Sequence, residues 1–280
     1  MRENVNGTSR SSGACYDPPM EHFLIVGSHP ALSLAEARSV LGDPAPQVVG
    51  EMAIFDRTSW KGDQLQNELA GVTKLGDIVA DLPVKDLNAE YLAGLLLENF
   101  PRPPGKIIYA LSLFGEERDT KVFKHLPIEL KRQFQEHGQK VRWFTGERGE
   151  VSPAAVSKLH LTDEGYDICL AVHKSHVWIG LTTHVQNADA WSQRDFSRPF
   201  RDRKVGMLPP KLARLMVNLS RPNMASGTLL DPFCGGGTVL MEAALLGFKH
   251  VIGSDIDAIQ MEGSRQNVDW LMQEGWISKE

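Results

Sequence analysis

Two hydrophobic periods take turns along the chain. Apolar runs of strand length occur at FLIVG (23–27), QVVG (47–50), MAIFDR (52–57) and DIVADL (77–82), each bounded by turn-forming or charged residues. Between the first two, Ser33 and Glu36 stand three apart, the spacing of a capping box, and predict a helix that runs to about Leu41 and stops at Gly42. DQLQNELAG (63–71) reads as a short helix. Asn88 is placed to cap a stronger one, AEYLAGLLLENF (89–100), which ends before the Pro101–Gly105 turn. A strand follows at KIIYALSLFG (106–115). Next comes an amphipathic helix with Val122, Phe123, Leu126, Leu130 and Phe134 on its apolar face and Lys and Arg on the other. KVRWFTG (140–146) is a strand, and Ser152-Pro153 opens the helix AAVSKL. DICLAVHK and HVWIGLTTHV are two β-rich runs joined by a turn, and the pattern ends near Val185.

Residues 186–205 show no amphipathic period and read as an exposed basic linker. Beyond it the texture changes. A proline pair opens the helix in GMLPPKLARLMVNLS (206–220), followed by a strand (TLLDPF), a glycine turn, a helix (TVLMEAALLG), a strand (KHVIGSD) and a helix (258–273). Strand, glycine turn, helix, strand, helix is the opening of a doubly wound α/β domain.

Composition narrows the field without deciding it. Hydrophobic residues make up 42% and charged residues 23%, and no apolar run approaches the roughly 18 residues of a membrane span. The polar, Ser/Gly-rich stretch 1–21 reads as a disordered tail rather than a secretory signal. Cys15, Cys169 and Cys234 lie too far apart for a disulfide framework or a zinc site, and suit a reducing cytoplasm. His173, His176 and His184 show no metal-ligand spacing, and Trp143 and Trp178 read as core. The net charge of −5 hides a dense basic island: residues 194–221 carry 8 basic and 2 acidic side chains. A second, weaker island at 99–149 holds Lys121, Lys124, Lys131, Arg132, Lys140 and Arg142. A polyanionic partner would be met locally.

The most informative chemistry lies in Asp231-Pro232-Phe233-Cys234-Gly235-Gly236-Gly237-Thr238. Glycines between a strand and a helix let a ligand approach the backbone at the helix N-terminus, and Asp255, ending the next strand, is placed to accept two ribose hydroxyls. A phosphate loop would need a Lys after Gly237, and a dinucleotide fold would prefer Gly where Leu240 stands. A plain tight turn is the bland alternative, and Cys234 reads as small rather than nucleophilic. DPFCGGGT, helix, GSD resembles the cofactor half of S-adenosylmethionine-dependent amino-methyltransferases, some acting on DNA and some on RNA. The resemblance implies a cofactor set of Asp231, Pro232, Cys234, Gly235, Gly237, Thr238, Asp255 and Ile256. In it, Asp231 lies near the methionine amino group, Thr238 caps the helix and Asp255 holds the ribose.

The flanks select among those enzymes. RPFRDRKVGMLPPKLARLMVNLS upstream, with Asn267 and Trp270-Leu271 downstream, resembles tRNA guanosine-N2 methyltransferases that carry a THUMP domain. VGSHPALSLAEARSVLG (26–42) resembles the opening of their small ferredoxin-like domain. Glu129–Phe134, KVRWFTG, SPAAVSKLHL and residues 176–195 fall where they have their THUMP region. The expected organisation is α/β and α+β multidomain: a tail (1–21), a ferredoxin-like domain (22–84), a THUMP-like RNA-binding domain (85–185), a basic linker (186–205) and an incomplete Rossmann-like methyltransferase domain (206–280). Arg198, Arg201, Arg203 and Lys204 are the expected phosphate contacts to tRNA. The family's Asn/Asp-Pro-Pro-Tyr turn for the target base does not follow Asp255, after which 25 residues remain. No catalytic residue is therefore assigned. The expectation is a C-terminally truncated chain, or one half of a split enzyme, which is inactive alone. Two alternatives remain at this level. One is a non-catalytic tRNA-binding protein with a remnant Rossmann half. The other is a permuted DNA amino-methyltransferase that uses Asp17-Pro18-Pro19-Met20.

Overall fold

The computed structural model describes residues 21–42, 45–56, 61–115, 121–146, 149–202, 204, 206–220 and 227–278. Most of residues 1–21, the Asp17–Met20 motif, Cys15 and Arg203 lie outside them, as does the side chain of Lys121. The strands are β1 (Glu21–Val26), β2 (Gln47–Val49), β3 (Met52–Asp56), β4 (Val72–Pro83), β5 (Lys106–Gly115), β6 (Lys140–Phe144), β7 (Tyr166–His173), β8 (His176–Val185), β9 (Thr228–Asp231) and β10 (His250–Gly253). The helices are α1 (Pro30–Leu41), α2 (Gly62–Glu68), α3 (Ala89–Asn99), α4 (Lys121–Glu136), α5 (Pro153–Lys158), α6 (Ala188–Ser192), α7 (Pro210–Leu219), α8 (Thr238–Leu245) and α9 (Ala258–Gln273).

The first eight strands form one sheet in the order β2-β3-β1-β4-β8-β7-β5-β6. Its seam is the long β4, whose first half pairs with β1 while its length from Lys74 to Pro83 pairs antiparallel with β8. Strands from 22–84 and from 85–185 thus share one hydrogen-bonded ladder. Only β5 runs parallel to its neighbours, β6 and β7. The amphipathic pattern of α4 is realised: Phe123, Leu126, Leu130 and Phe134 are buried with Leu92 and Leu96 of α3 against Tyr109, Tyr166 and Ile168. At the other end of the sheet Leu24, Phe55 and Leu75 pack against Ala37, Leu65 and Leu69. Asn88 and Ser152 cap their helices through the amides of Tyr91 and Ala155, and Gly42 ends α1 in the left-handed region.

The Ser33–Glu36 capping box does not form. Helix α1 starts four residues earlier, with His29 as its N-cap residue and Pro30 in its first turn, and the Ser33 hydroxyl donates to the His29 carbonyl. Glu36 is fully buried and accepts hydrogen bonds from the Ala70 and Gly71 amides and from Asn218. Burial raises its pKa, opposed by those three donors and by Arg214. Two further departures concern exposure. Trp143, read as core, is 37% exposed on β6, at the edge of the sheet, whereas Trp178 is buried as expected. The described residues of 186–205 are not an exposed linker either: 188–197 form α6 and one π-helical turn, Gln193–Ser197, and Trp191, Arg194 and Arg198 are all buried.

The C-terminal segment begins the doubly wound pattern as expected. β9 and β10 are parallel neighbours, with α8 between them in sequence. Leu240 of α8 lies so close to Gly253 that a β-carbon there would meet it at 2.4 Å. Helix α7 joins this segment to the large sheet. Arg214 donates to the Asn67 carbonyl, and Asn218 donates to Glu36 and to the Glu68 carbonyl. On the α8 side, Arg214 and Arg194 grip the two carboxylate oxygens of fully buried Glu242 at 2.7 and 2.9 Å. No helix among the described residues is long and apolar enough to cross a membrane.

Candidate cofactor site

The glycine turn closes the C-terminal end of β9 and leads directly into α8. Gly237 takes φ of +78°, a conformation that favours glycine, and a β-carbon there would meet the Ser264 hydroxyl oxygen at 2.3 Å. Asp255, past the end of β10, faces the turn. Its carboxylate accepts the Gly235 and Asp257 amides, each at 2.9 Å. These backbone bonds hold its pKa below the usual aspartate value of 3.8, so it is ionised at neutral pH. Asp231 accepts the Phe233 amide at 3.1 Å, and the Ser254 hydroxyl donates to the Pro232 carbonyl.

Between these elements and the strap 198–208 lies a cavity of about 420 Å³, within the range of small-molecule sites. Asp231, Cys234, Gly235, Thr238, Asp255 and Ile256 line it, whereas Pro232 and Gly237 shape the turn from behind. Phe233 and Ile256 are largely exposed beside the opening. Cys234 is buried, and burial together with Asp231 keeps its thiol above the ordinary pKa of 9.0, which suits a small packing residue rather than a nucleophile.

The strap is the part that sequence reasoning misplaced. Arg198, expected to reach RNA phosphates, is 3% exposed; its guanidinium points into the fold and donates to the Thr238 hydroxyl at 2.6 Å. Thr238 therefore does not cap α8; Gly237 is the N-cap residue and the hydroxyl is engaged by Arg198. A dense run of arginines looks the same in sequence whether it faces water or a neighbouring helix, which is why charge counting erred. Lys204 is exposed, and Arg201 is half-buried over the Phe196 ring. Asn267 of α9 is fully buried and fastens the strap: it accepts the Phe200 amide and donates to the Phe200 and Gly236 carbonyls. Phe200 in turn lies on Gly263, where a β-carbon would meet its ring at 2.2 Å. Gln260 completes the wall by donating to Asp202. The sequence signal for these contacts was weak: Asn267 and Gly263 are four apart on one helix face, with nothing to name their partner.

Residues 198–271, strap and glycine turn together, match the family model described as RMKL-like, methyltransferase domain. This part of the chain resembles a methyltransferase domain. It resembles the tRNA (guanine(10)-N2)-dimethyltransferase of Methanothermobacter thermautotrophicus, with 49% identity over 75 residues, 27% of this chain and 21% of that protein. The enzyme of the same name from Pyrococcus abyssi is 36% identical over 103 residues, 37% of this chain and 30% of that protein. The chain thus matches less than a third of the length of these relatives. Among solved structures, TrmN from Thermus thermophilus shares the fold: it covers 92% of this chain and 71% of its own, with a TM-score of 0.52 and 21% identity. The fold is mixed α/β around a large sheet, and the segment that matches the methyltransferase model follows that sheet in the chain.

Proposed function

We propose that the chain binds S-adenosylmethionine in the 420 Å³ cavity and serves methylation of a guanosine N2 amine in tRNA. The observation that carries this reading is the pairing of the glycine turn with Asp255 across two parallel strands, since a turn that only reversed the chain would need no carboxylate facing a ligand-sized cavity. The residues present fit the cofactor. The backbone at Gly235 and Gly236 is bare of side chain, Asp255 can accept ribose hydroxyls, Asp231 suits an ammonium group, and Ile256 offers an apolar contact to a base. When bound, the cofactor supplies a methyl group activated by the sulfonium. The choice of tRNA guanine rests on the names of the relatives and on the resemblance of the flanks.

In this reading residues 22–84 and 85–185 are the ferredoxin-like and THUMP-like parts, and they position the folded polyanion by backbone charge. Lys131, Arg132, Lys140 and Arg142 are exposed on α4 and β6, and Lys204 is exposed on the strap beside the cavity. Arg198 is withdrawn from the set of RNA contacts because it is buried. No residue among 1–280 is assigned to hold the target base.

Isothermal titration with S-adenosylmethionine tests the cofactor half. Binding is expected for the unaltered chain, and Asp255→Ala should weaken it by about tenfold through loss of charged hydrogen bonds. A chain that binds no cofactor refutes the reading. Incubation of tRNA and DNA together with methyl-labelled cofactor, followed by nucleoside analysis of each, tests the substrate. Label in N2-methylguanosine agrees with it, and label confined to adenine in DNA overturns it.

A further inference from the structure

Three arginines are buried around α8, and they differ in what neutralises them. Arg194 and Arg214 share the carboxylate of Glu242. Arg198 has no ion pair among the described residues. Its Nη1 donates to the Thr238 hydroxyl, its Nη2 meets the Met207 sulfur at 3.6 Å, and its Nε is buried without any partner. Asp195 and Glu242 supply negative charge only from beyond ion-pair distance, Arg201 opposes them, and burial still disfavours the cation, an expensive arrangement for a fold to keep without an anion in direct contact. Yet the side chain forms part of the cavity wall.

Four carboxylates share that wall, and each is engaged elsewhere. Asp255 accepts the Gly235 and Asp257 amides, Asp257 the Ile259 amide, Asp231 the Phe233 amide, and Asp202 the Gln260 side chain and the Lys204 amide. Asp231 ends β9, Asp255 and Asp257 lie just past the end of β10, and Asp202 lies on the strap. Arg198 brings a positive charge to the same wall and meets the first residue of α8, where the amides of a helix N-terminus also favour negative charge. Arg198 donates to the Thr238 oxygen, which leaves the threonine proton available for a second acceptor.

We propose that Arg198, with Thr238 and the N-terminus of α8, anchors the α-carboxylate of the cofactor's amino-acid end. This rests on the cofactor reading above and adds the group to which that end is tied. An RNA phosphate is a poor alternative occupant: with 3% exposure, Arg198 is reached only through the cavity, which admits a small ligand and not a nucleic-acid backbone.

The test uses the full chain, S-adenosylhomocysteine, and decarboxylated S-adenosylhomocysteine, which keeps the amine but lacks the carboxylate. Calorimetric titration of the unaltered chain should favour the carboxylated ligand by about 10- to 100-fold, the range of a charged hydrogen bond. In Arg198→Met the affinity for S-adenosylhomocysteine should fall by that factor, and the affinity for the decarboxylated ligand should change by no more than about twofold. Arg198→Lys should keep part of the preference. Equal loss for both ligands would show that Arg198 merely props Thr238, and overturns the inference. So does an unaltered chain that binds both ligands equally. An unaltered chain that binds neither refutes the cofactor reading itself, and the inference with it. If Arg198→Met lacks a cooperative thermal transition, the lysine variant and the ligand preference of the unaltered chain still decide.

Discussion

Asp255 and Cys234 illustrate how far a single residue's chemistry follows from its immediate backbone. Asp255 is held ionised by the Gly235 and Asp257 amides, and its pKa lies below 3.8. For a carboxylate with a depressed folded-state pKa, the favourable contribution is complete above the unfolded value and is lost as pH falls through the folded one. Cofactor binding measured from pH 5 to 8 should therefore show no titration attributable to Asp255. An apparent pKa near 6 in the binding curve, absent in Asp255→Asn, would contradict the geometry. For Cys234 the sign is reversed: burial and Asp231 raise the thiol above 9.0, so the thiolate is scarce at neutral pH. Both placements were legible in the sequence because they depend on neighbours within the glycine turn and at the end of the next strand. Arg198 and Glu36 were not. Their partners Thr238, Ala70, Gly71 and Asn218 lie 34 to 182 positions away, and local spacing carries no trace of them.

At the level of elements, the strands and helices were mostly evident from periodicity, whereas their pairing was not. The β4–β8 ladder joins residues about a hundred positions apart, and two apolar strands that read as belonging to separate units gave no signal that they meet. Helix α7 was visible as a proline-opened amphipathic run, but its polar residues Arg214 and Asn218 prove to be buried and decisive. They carry one chain of hydrogen bonds from Glu36 and the Asn67 and Glu68 carbonyls on one side to Glu242 on the other. That chain fixes α8, and hence the glycine turn, against the large sheet. Glu242 is its most sensitive point, because one carboxylate serves two buried guanidinium groups. Glu242→Gln should destabilise the chain by about 3–5 kcal/mol, the usual cost of breaking a buried ion pair from one side. Replacing Arg194, Arg214 and Glu242 together with apolar residues of similar size should cost much less. Urea unfolding of both variants checks this, and equal losses would mean that packing, not charge, holds α7 to α8.

For the whole molecule the question is how an overall net charge of −5 would meet the tRNA proposed as its substrate. The structure redistributes the basic islands seen in sequence. Of the strap's described basic residues, Arg198 turns inward to Thr238, Arg201 lies half-buried over Phe196, and Lys204 is exposed. On the eight-stranded sheet, Lys131 and Arg132 of α4 and Lys140 and Arg142 of β6 are exposed. α4 leads directly into β6 through a short turn, so these four charges sit at the same end of the sheet order. If they contact phosphates, tRNA affinity should fall linearly with salt on a log–log scale, with a slope of about −0.7 to −0.9 per contact. Charge reversal at Lys131 and Arg132 together should then reduce the magnitude of that slope by about 1.5, whereas Arg198→Met should leave it unchanged. Filter binding between low and moderate salt distinguishes the two variants. A slope that is flat for the unaltered chain removes the electrostatic role of both islands, and a slope that drops for Arg198→Met returns that residue to the RNA surface and takes it from the cofactor.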